Sequence, residues 1–139
     1  MSKPEKGTAE QRFQEALALK DAGELTAATD ILASLAQEAS DSIGFWLVFG
    51  DAREELGDLS GAVTCYGNAV RLAPTHELAS RSLFHCLWEL SQKGDEEAQS
   101  RALAEIRRFL SVSDSQVYEE IIQELHLNRQ LLWPNVRGR

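Results

Sequence analysis

Cys65, His85 and Cys86 are the side chains of this 139-residue sequence best suited to covalent or metal chemistry. A thiol nucleophile needs a base within hydrogen-bond reach, and His85 adjoins Cys86. Neighbours in a helix point about 100° apart, however, and do not face each other. A zinc site built from Cys65, His85 and Cys86 lacks a fourth ligand and a recognised spacing. Cys65 precedes Tyr66 and Cys86 precedes Leu87, apolar neighbourhoods in which a small buried cysteine is ordinary. His76 follows Pro74-Thr75 at a turn and His126 falls in the last helix; both read as solvent-facing. Gly57 and Gly61 stand alone, so no glycine-rich loop is present to cradle phosphate. The expectation is a protein without catalytic residues, metal or cofactor, and not an enzyme.

Charge narrows the partners. Fourteen basic and 22 acidic residues give a formal net charge of −8, which opposes a phosphate-contacting surface and disfavours DNA or RNA. A basic protein or peptide partner is favoured. With 43% hydrophobic and 26% charged residues, the chain is long enough for one folded domain. No run reaches the roughly 18 apolar residues of a membrane span. The first seven residues carry no apolar segment and read as a disordered lead instead of a secretory signal. Two cysteines without regular spacing suit a reducing compartment, so the cytoplasm is expected.

The elements that would position these residues are helices. Thr8-Ala-Glu-Gln11 and Ser113-Asp-Ser-Gln116 read as capping boxes and predict two helix starts. Val117, Ile121, Leu125 and Leu132, with Tyr118 and Ile122 beside them, form one apolar stripe along a last helix that Pro134 stops. No stretch alternates apolar and polar residues over strand length.

A period runs through the helices. Gly23-Glu24-Leu25 returns 34 residues later as Gly57-Asp58-Leu59, and Ala28 returns as Ala62 at the same distance, the period of a helical-hairpin repeat. Residues 43 to 76 carry Trp46, Phe49, Gly50, Gly57, Ala62, Tyr66, Ala69 and Pro74. This resembles the tetratricopeptide-repeat (TPR) pattern, with Arg53 standing where the family usually has an aromatic residue. Residues 9 to 42 keep Ala16, Gly23, Leu25, Ala28 and Leu32, but have Arg12 at the Trp position and Ser40 at the Pro position. The third turn, Gly94-Asp95, comes three residues late, close to one helical turn, so its first helix should be longer by a turn without rotating its faces. The resemblance implies an all-α fold: an α-solenoid of three TPR-like hairpins (about 9–42, 43–76 and 77–112) plus a C-terminal capping helix (about 114–132). That makes seven helices in a single domain over 8–133, with a tail at 134–139.

Such scaffolds bind partners on their concave surface. If Trp46, Phe49, Gly50 and Arg53 pack inward, then Leu47, Asp51, Glu54 and Glu55 lie on the groove side of the same helix. The equivalent face gives Phe13, Leu17 and Lys20 in the first hairpin and Arg81, His85 and Trp88 in the third. Trp and Arg dominate binding hot spots, although Trp88 could equally pack under the capping helix. Asp51, Glu54, Glu55 and Asp58 form one acidic cluster, and Asp95-Glu96-Glu97 another that suits a helix N-terminus. Some TPR proteins clamp a partner's C-terminal carboxylates with Lys, Asn and Arg. The resemblance places Phe13, Leu17, Leu47 and Asp51 there, which cannot do so. The expected function is an interaction scaffold or adaptor holding a partner segment in its groove. The alternative is a dedicated chaperone or immunity protein that holds or inhibits one secreted, basic bacterial client or toxin. Self-association through Trp133-Pro134 and the exposed end faces is a third expectation.

Overall fold

The computed structural model describes residues 7–133, and the lead before Gly7 and the tail from Pro134 lie outside them. Among these residues there are helices and no strands: α1 (Ala9–Asp21), α2 (Leu25–Leu35), α3 (Ile43–Glu55), α4 (Leu59–Leu72), α5 (Glu77–Gln92), α6 (Glu96–Val112), α7 (Gln116–Glu124) and a single turn, α8 (Arg129–Leu132). The first six pair as hairpins, α1 with α2, α3 with α4 and α5 with α6. The chain divides after Leu72 into two compact units, so the first holds α1–α4 and the second α5–α8.

Each hairpin turns on a glycine. Gly23, Gly57 and Gly94 have φ of 81°, 83° and 104°, a left-handed backbone that costs a side-chain-bearing residue about 1 kcal/mol or more. In each turn two crossed hydrogen bonds seal the helix end. Gly57 N–H donates to Glu54 O and Asp58 N–H to Arg53 O, both at 2.9 Å, and the same pair recurs at Gly23-Glu24 and Gly94-Asp95. As the late third glycine predicts, α5 has 16 residues where α1 and α3 have 13.

In the first unit Gly50 lets α3 and α4 approach. A Cβ placed on it would stand 2.7 Å from the Tyr66 ring, closer than carbon atoms tolerate. Phe45, Trp46 and Phe49 fill the adjoining space, with Phe45 centroids 5.0 Å and 5.7 Å from the other two rings. Trp46 satisfies its indole N–H on Ser40 O at 3.0 Å, a carbonyl supplied by the residue that replaces the expected proline.

Helix starts divide into one expectation met and one corrected. Thr8 and Gln11 form the reciprocal capping box. Ser113 does not cap α7: it closes α6, its N–H bonded to Phe109 O at 2.9 Å. Ser115 caps α7 instead, its hydroxyl accepting Tyr118 N–H at 3.0 Å.

The expected capping helix over 114–132 is broken. Helix α7 stops at Glu124 with the same pair of crossed bonds, His126 N–H to Gln123 O and Leu127 N–H to Ile122 O. His126 takes the left-handed position at φ 52° without being glycine. Leu125 therefore leaves the apolar stripe and stands 37% exposed, while Tyr118, Ile121, Ile122 and Leu132 stay buried. Asn128 then caps α8 by accepting Gln130 N–H. Pro134, expected to stop this helix, lies outside the described residues.

Candidate partner-binding faces

Seven of the ten expected binding residues lie in the first unit. Phe13, Leu17 and Lys20 share the edge of α1 that meets α3. Phe13 packs against Phe45 with centroids 6.3 Å apart. At the other end of the edge, the Lys20 ammonium pairs with Asp51 at 2.7 Å and Glu55 at 3.2 Å. The Lys20 side chain is 15% exposed, whereas Asp51 and Glu55 keep 51% and 46%. The hydrogen bond to Asp51 raises the Lys20 pKa, outweighing the desolvation that opposes it. Leu17 and Leu47 are half-buried. This face of α1 and α3 thus carries two carboxylates sharing one lysine, together with the half-buried Leu17 and Leu47.

Glu54 does not join that face. Its carboxylate turns toward α4 and accepts the Tyr66 hydroxyl at 2.9 Å. Asp58 is a helix cap, accepting Gly61 N–H at 3.0 Å. The four-residue acidic cluster thus separates into three tasks: an ion pair with Lys20, a bond across the hairpin, and a cap. Asp95 likewise caps α6 by accepting Ala98 N–H, the role expected for that cluster.

Arg53 packs against its own hairpin. Its guanidinium lies 4.0 Å from the Phe49 centroid, donates to Gly61 O at 3.3 Å and reaches Cys65 Sγ at 3.5 Å. The guanidinium thus stacks on an aromatic ring of its own helix.

The other three residues lie on α5 in the second unit. Trp88 is half-buried and stacks on Phe84 at 5.9 Å, and Phe84 meets Tyr118 of α7 edge-on at 5.9 Å. Phe84 thus links Trp88 to Tyr118 of α7. Arg81 pairs with Glu77 at 3.7 Å, and His85 is exposed.

Both cysteines are buried and neither is in a disulfide. Burial pushes the Cys65 thiol up, against the opposing pull of Arg53, so the thiolate needed for nucleophilic attack is disfavoured. Among the described residues no group of three or more His, Cys, Asp or Glu side chains is placed to hold a metal ion, and no helix is long and apolar enough to cross a membrane.

The sequence reading missed a buried polar network in the second unit. Ser80 donates to Glu105 Oε2 at 2.6 Å and lies 2.6 Å from the Tyr118 hydroxyl. Arg108 holds Glu105 through two bonds, Nε to Oε1 at 2.8 Å and Nη2 to Oε2 at 2.7 Å. Its Nη1 donates to Pro74 O at 2.9 Å. The signal available was Glu105 itself, the one carboxylate on the otherwise apolar stripe Ala98, Ala102, Ile106 and Phe109.

No protein-family model and no curated protein matches this sequence. Solved structures do match its fold. The type III secretion translocator chaperone SycD of Yersinia enterocolitica is similar with a TM-score of 0.65 and 16% identity, over 92% of this chain and 90% of that one. SycD in complex with a peptide of the translocator YopD is similar with a TM-score of 0.62 and 16% identity, over 93% and 96%. The fold is thus a TPR-like array of helical hairpins, and this chain is an all-α protein of the solenoid class.

Proposed function

We propose that this chain captures a segment of a partner protein, and that it does so as a dedicated chaperone for one client. The supporting observation is the fold shared over nine-tenths of both chains with SycD, a secretion chaperone also solved with a peptide of a translocator. In this reading the chain belongs with the TPR proteins, lacks catalytic activity and acts in the cytoplasm. Its first binding face is Leu17, Leu47, Asp51 and Glu55, edged by Phe13 and Lys20. Leucines would take apolar side chains, and the carboxylate surplus would favour a segment carrying Lys or Arg. Trp88, Arg81 and His85 offer a second surface on α5, with the aromatic and guanidinium groups that anchor interfaces.

The test is capture from the native cell, with captured proteins identified by mass and the stoichiometry of the complex measured. A single client in a 1:1 complex, weakened by Asp51→Asn with Glu55→Gln, is the expected result. Simultaneous capture of two partners would favour a bridging adaptor. A binding energy unchanged at low salt by the neutral variants would remove the acidic face from the site.

A further inference from the structure

The first unit contains a cleft that the groove reading touches only at Phe13. It lies where α1 begins, α2 has ended and α3 begins, is lined by Ala9, Glu10, Phe13, Leu35, Ala39 and Phe45 with Ser42 at one edge, and encloses about 170 Å³. An apolar cavity of about 150 Å³ accepts a benzene ring, so this space suits one branched or aromatic side chain. Its origin is compositional: Ala9 and Ala39 are small where a larger residue would fill the gap between Phe13, Leu35 and Phe45. The Phe13 and Phe45 rings form two walls, tilted 48° to one another, and Leu35, 1% exposed, is part of the floor.

Among the described lining residues the one charge is a carboxylate. Glu10 lines the cleft, is exposed, and accepts from the Gln14 amide at 3.0 Å. Glu38 and Asp41 are exposed beside the lining residues Ala39 and Ser42. Among the described residues no lysine or arginine lines the space. Of the described cations on α1, Arg12 bonds to Ser34 and Lys20 pairs with Asp51 and Glu55. An apolar floor with a carboxylate at its edge disfavours an acidic occupant and favours an apolar side chain with a cation next to it.

We infer that this cleft is an anchor pocket for a partner segment, taking a large apolar residue immediately followed by Lys or Arg. The inference rests on the segment-binding reading and assigns it a second, separate contact on the same unit. The cleft would hold the segment by burial, while Glu10 would select the neighbouring charge.

The probe is an eight-residue Gly/Ser peptide containing one Leu followed by Lys, titrated into the isotope-labelled full chain and followed by backbone amide resonances. Control peptides carry Leu followed by Glu, or Gly followed by Lys. The expected result is saturable shifts at Phe13, Leu35 and Phe45, with both controls at least fivefold weaker. Ala39→Leu, which fills the space, should weaken binding about tenfold with an unchanged circular dichroism spectrum. Glu10→Lys, at an exposed position, should reverse the preference between Lys and Glu. Equal binding of all three peptides, or shifts that persist in Ala39→Leu, would overturn the pocket. So would movement of the same resonances with protein concentration alone, which would assign the cleft to a second copy. Tighter peptide binding after removal of residues 1–6 would assign it to the chain's own lead. A native client that loses affinity for the Asp51/Glu55 variant but not for Ala39→Leu would overturn the pocket and leave the proposed function standing. Specific peptide binding without any captured client would do the reverse.

Discussion

The hydroxyls of Ser80 and Tyr118, 38 residues apart in sequence, meet at 2.6 Å in the interior of the second unit. Ser80 has one hydrogen, and it goes to Glu105, so Tyr118 is the donor between the two hydroxyls. The relay runs from α7 through α5 to a carboxylate on α6 that Arg108 clamps. Each polar group is thereby satisfied away from water, which is the condition for burying it.

Breaking the relay in its middle should cost more than trimming its end. Tyr118→Phe removes one donor and should lower stability by about 1 kcal/mol, whereas Ser80→Ala leaves the buried Tyr118 hydroxyl without its acceptor, takes one donor from Glu105, and should cost about 1–3 kcal/mol. The double variant should be less unstable than the sum of the two. Urea unfolding of the four proteins measures the coupling, and strict additivity would show that the hydroxyls do not interact.

Alkaline pH should weaken the fold by a route that acid does not. Burial raises the Tyr118 hydroxyl well above its ordinary value of 10.0, and Asp51 holds Lys20 above 10.5. Both groups bind their proton more tightly when folded, so their contribution is complete below pH 10 and is lost as pH rises further. Tyr118→Phe should therefore flatten the fall in unfolding free energy between pH 9.5 and about 11. An unchanged slope would count against the buried phenol as its source.

Replacing His126 by Gly should stabilise the second unit. At φ 52° the imidazole-bearing residue occupies a conformation that glycine adopts freely, and relief of about 0.5–1 kcal/mol is expected against a small entropic cost in the unfolded chain. His126→Val should have the opposite sign. Thermal melts compare all three.

The first hairpin turn lacks a feature that the other two have. Asp58 and Asp95 each cap the following helix at 3.0 Å, but Glu24, one methylene longer at the corresponding place, makes no side-chain cap. Glu24→Asp should supply it and add about 0.5–1 kcal/mol. A melting temperature no higher than the parent's would show that the backbone there is unsuited to capping.

Neither cysteine should react with Ellman's reagent at pH 8 in the native chain. Both thiols should titrate once urea unfolds it. Fast native labelling of Cys65 would contradict its burial against Arg53.

The hairpins were legible because each depends on a local cue: Gly23, Gly57 and Gly94 mark turns, and the late third glycine marks the longer α5. The break after α7 was not, because His126 fills a left-handed site without the residue type that announces one. Ser113 and Ser115 both carry a hydroxyl, and only the bond from Ser113 N–H to Phe109 O decides which helix each serves. Glu54 shows the limit of face assignment. Its position on α3 fits the groove side, but a flexible carboxylate can swing to a hydroxyl on the neighbouring helix. The Ser80 relay joins three helices and left only a lone glutamate in an apolar stripe as its trace.

The sealed turns at Gly57 and Gly94 bear on how this protein can recognise anything. There the crossed bonds occupy the last carbonyls of one helix, and Asp58 and Asp95 occupy N–H groups at the start of the next. These tips leave little main chain for a visiting strand to pair with, so discrimination falls to side chains on helix flanks. Under the proposed segment-binding function, such a scaffold separates upkeep from recognition: residues on its flanks can be exchanged to change clients while the turns that hold the hairpins together stay as they are.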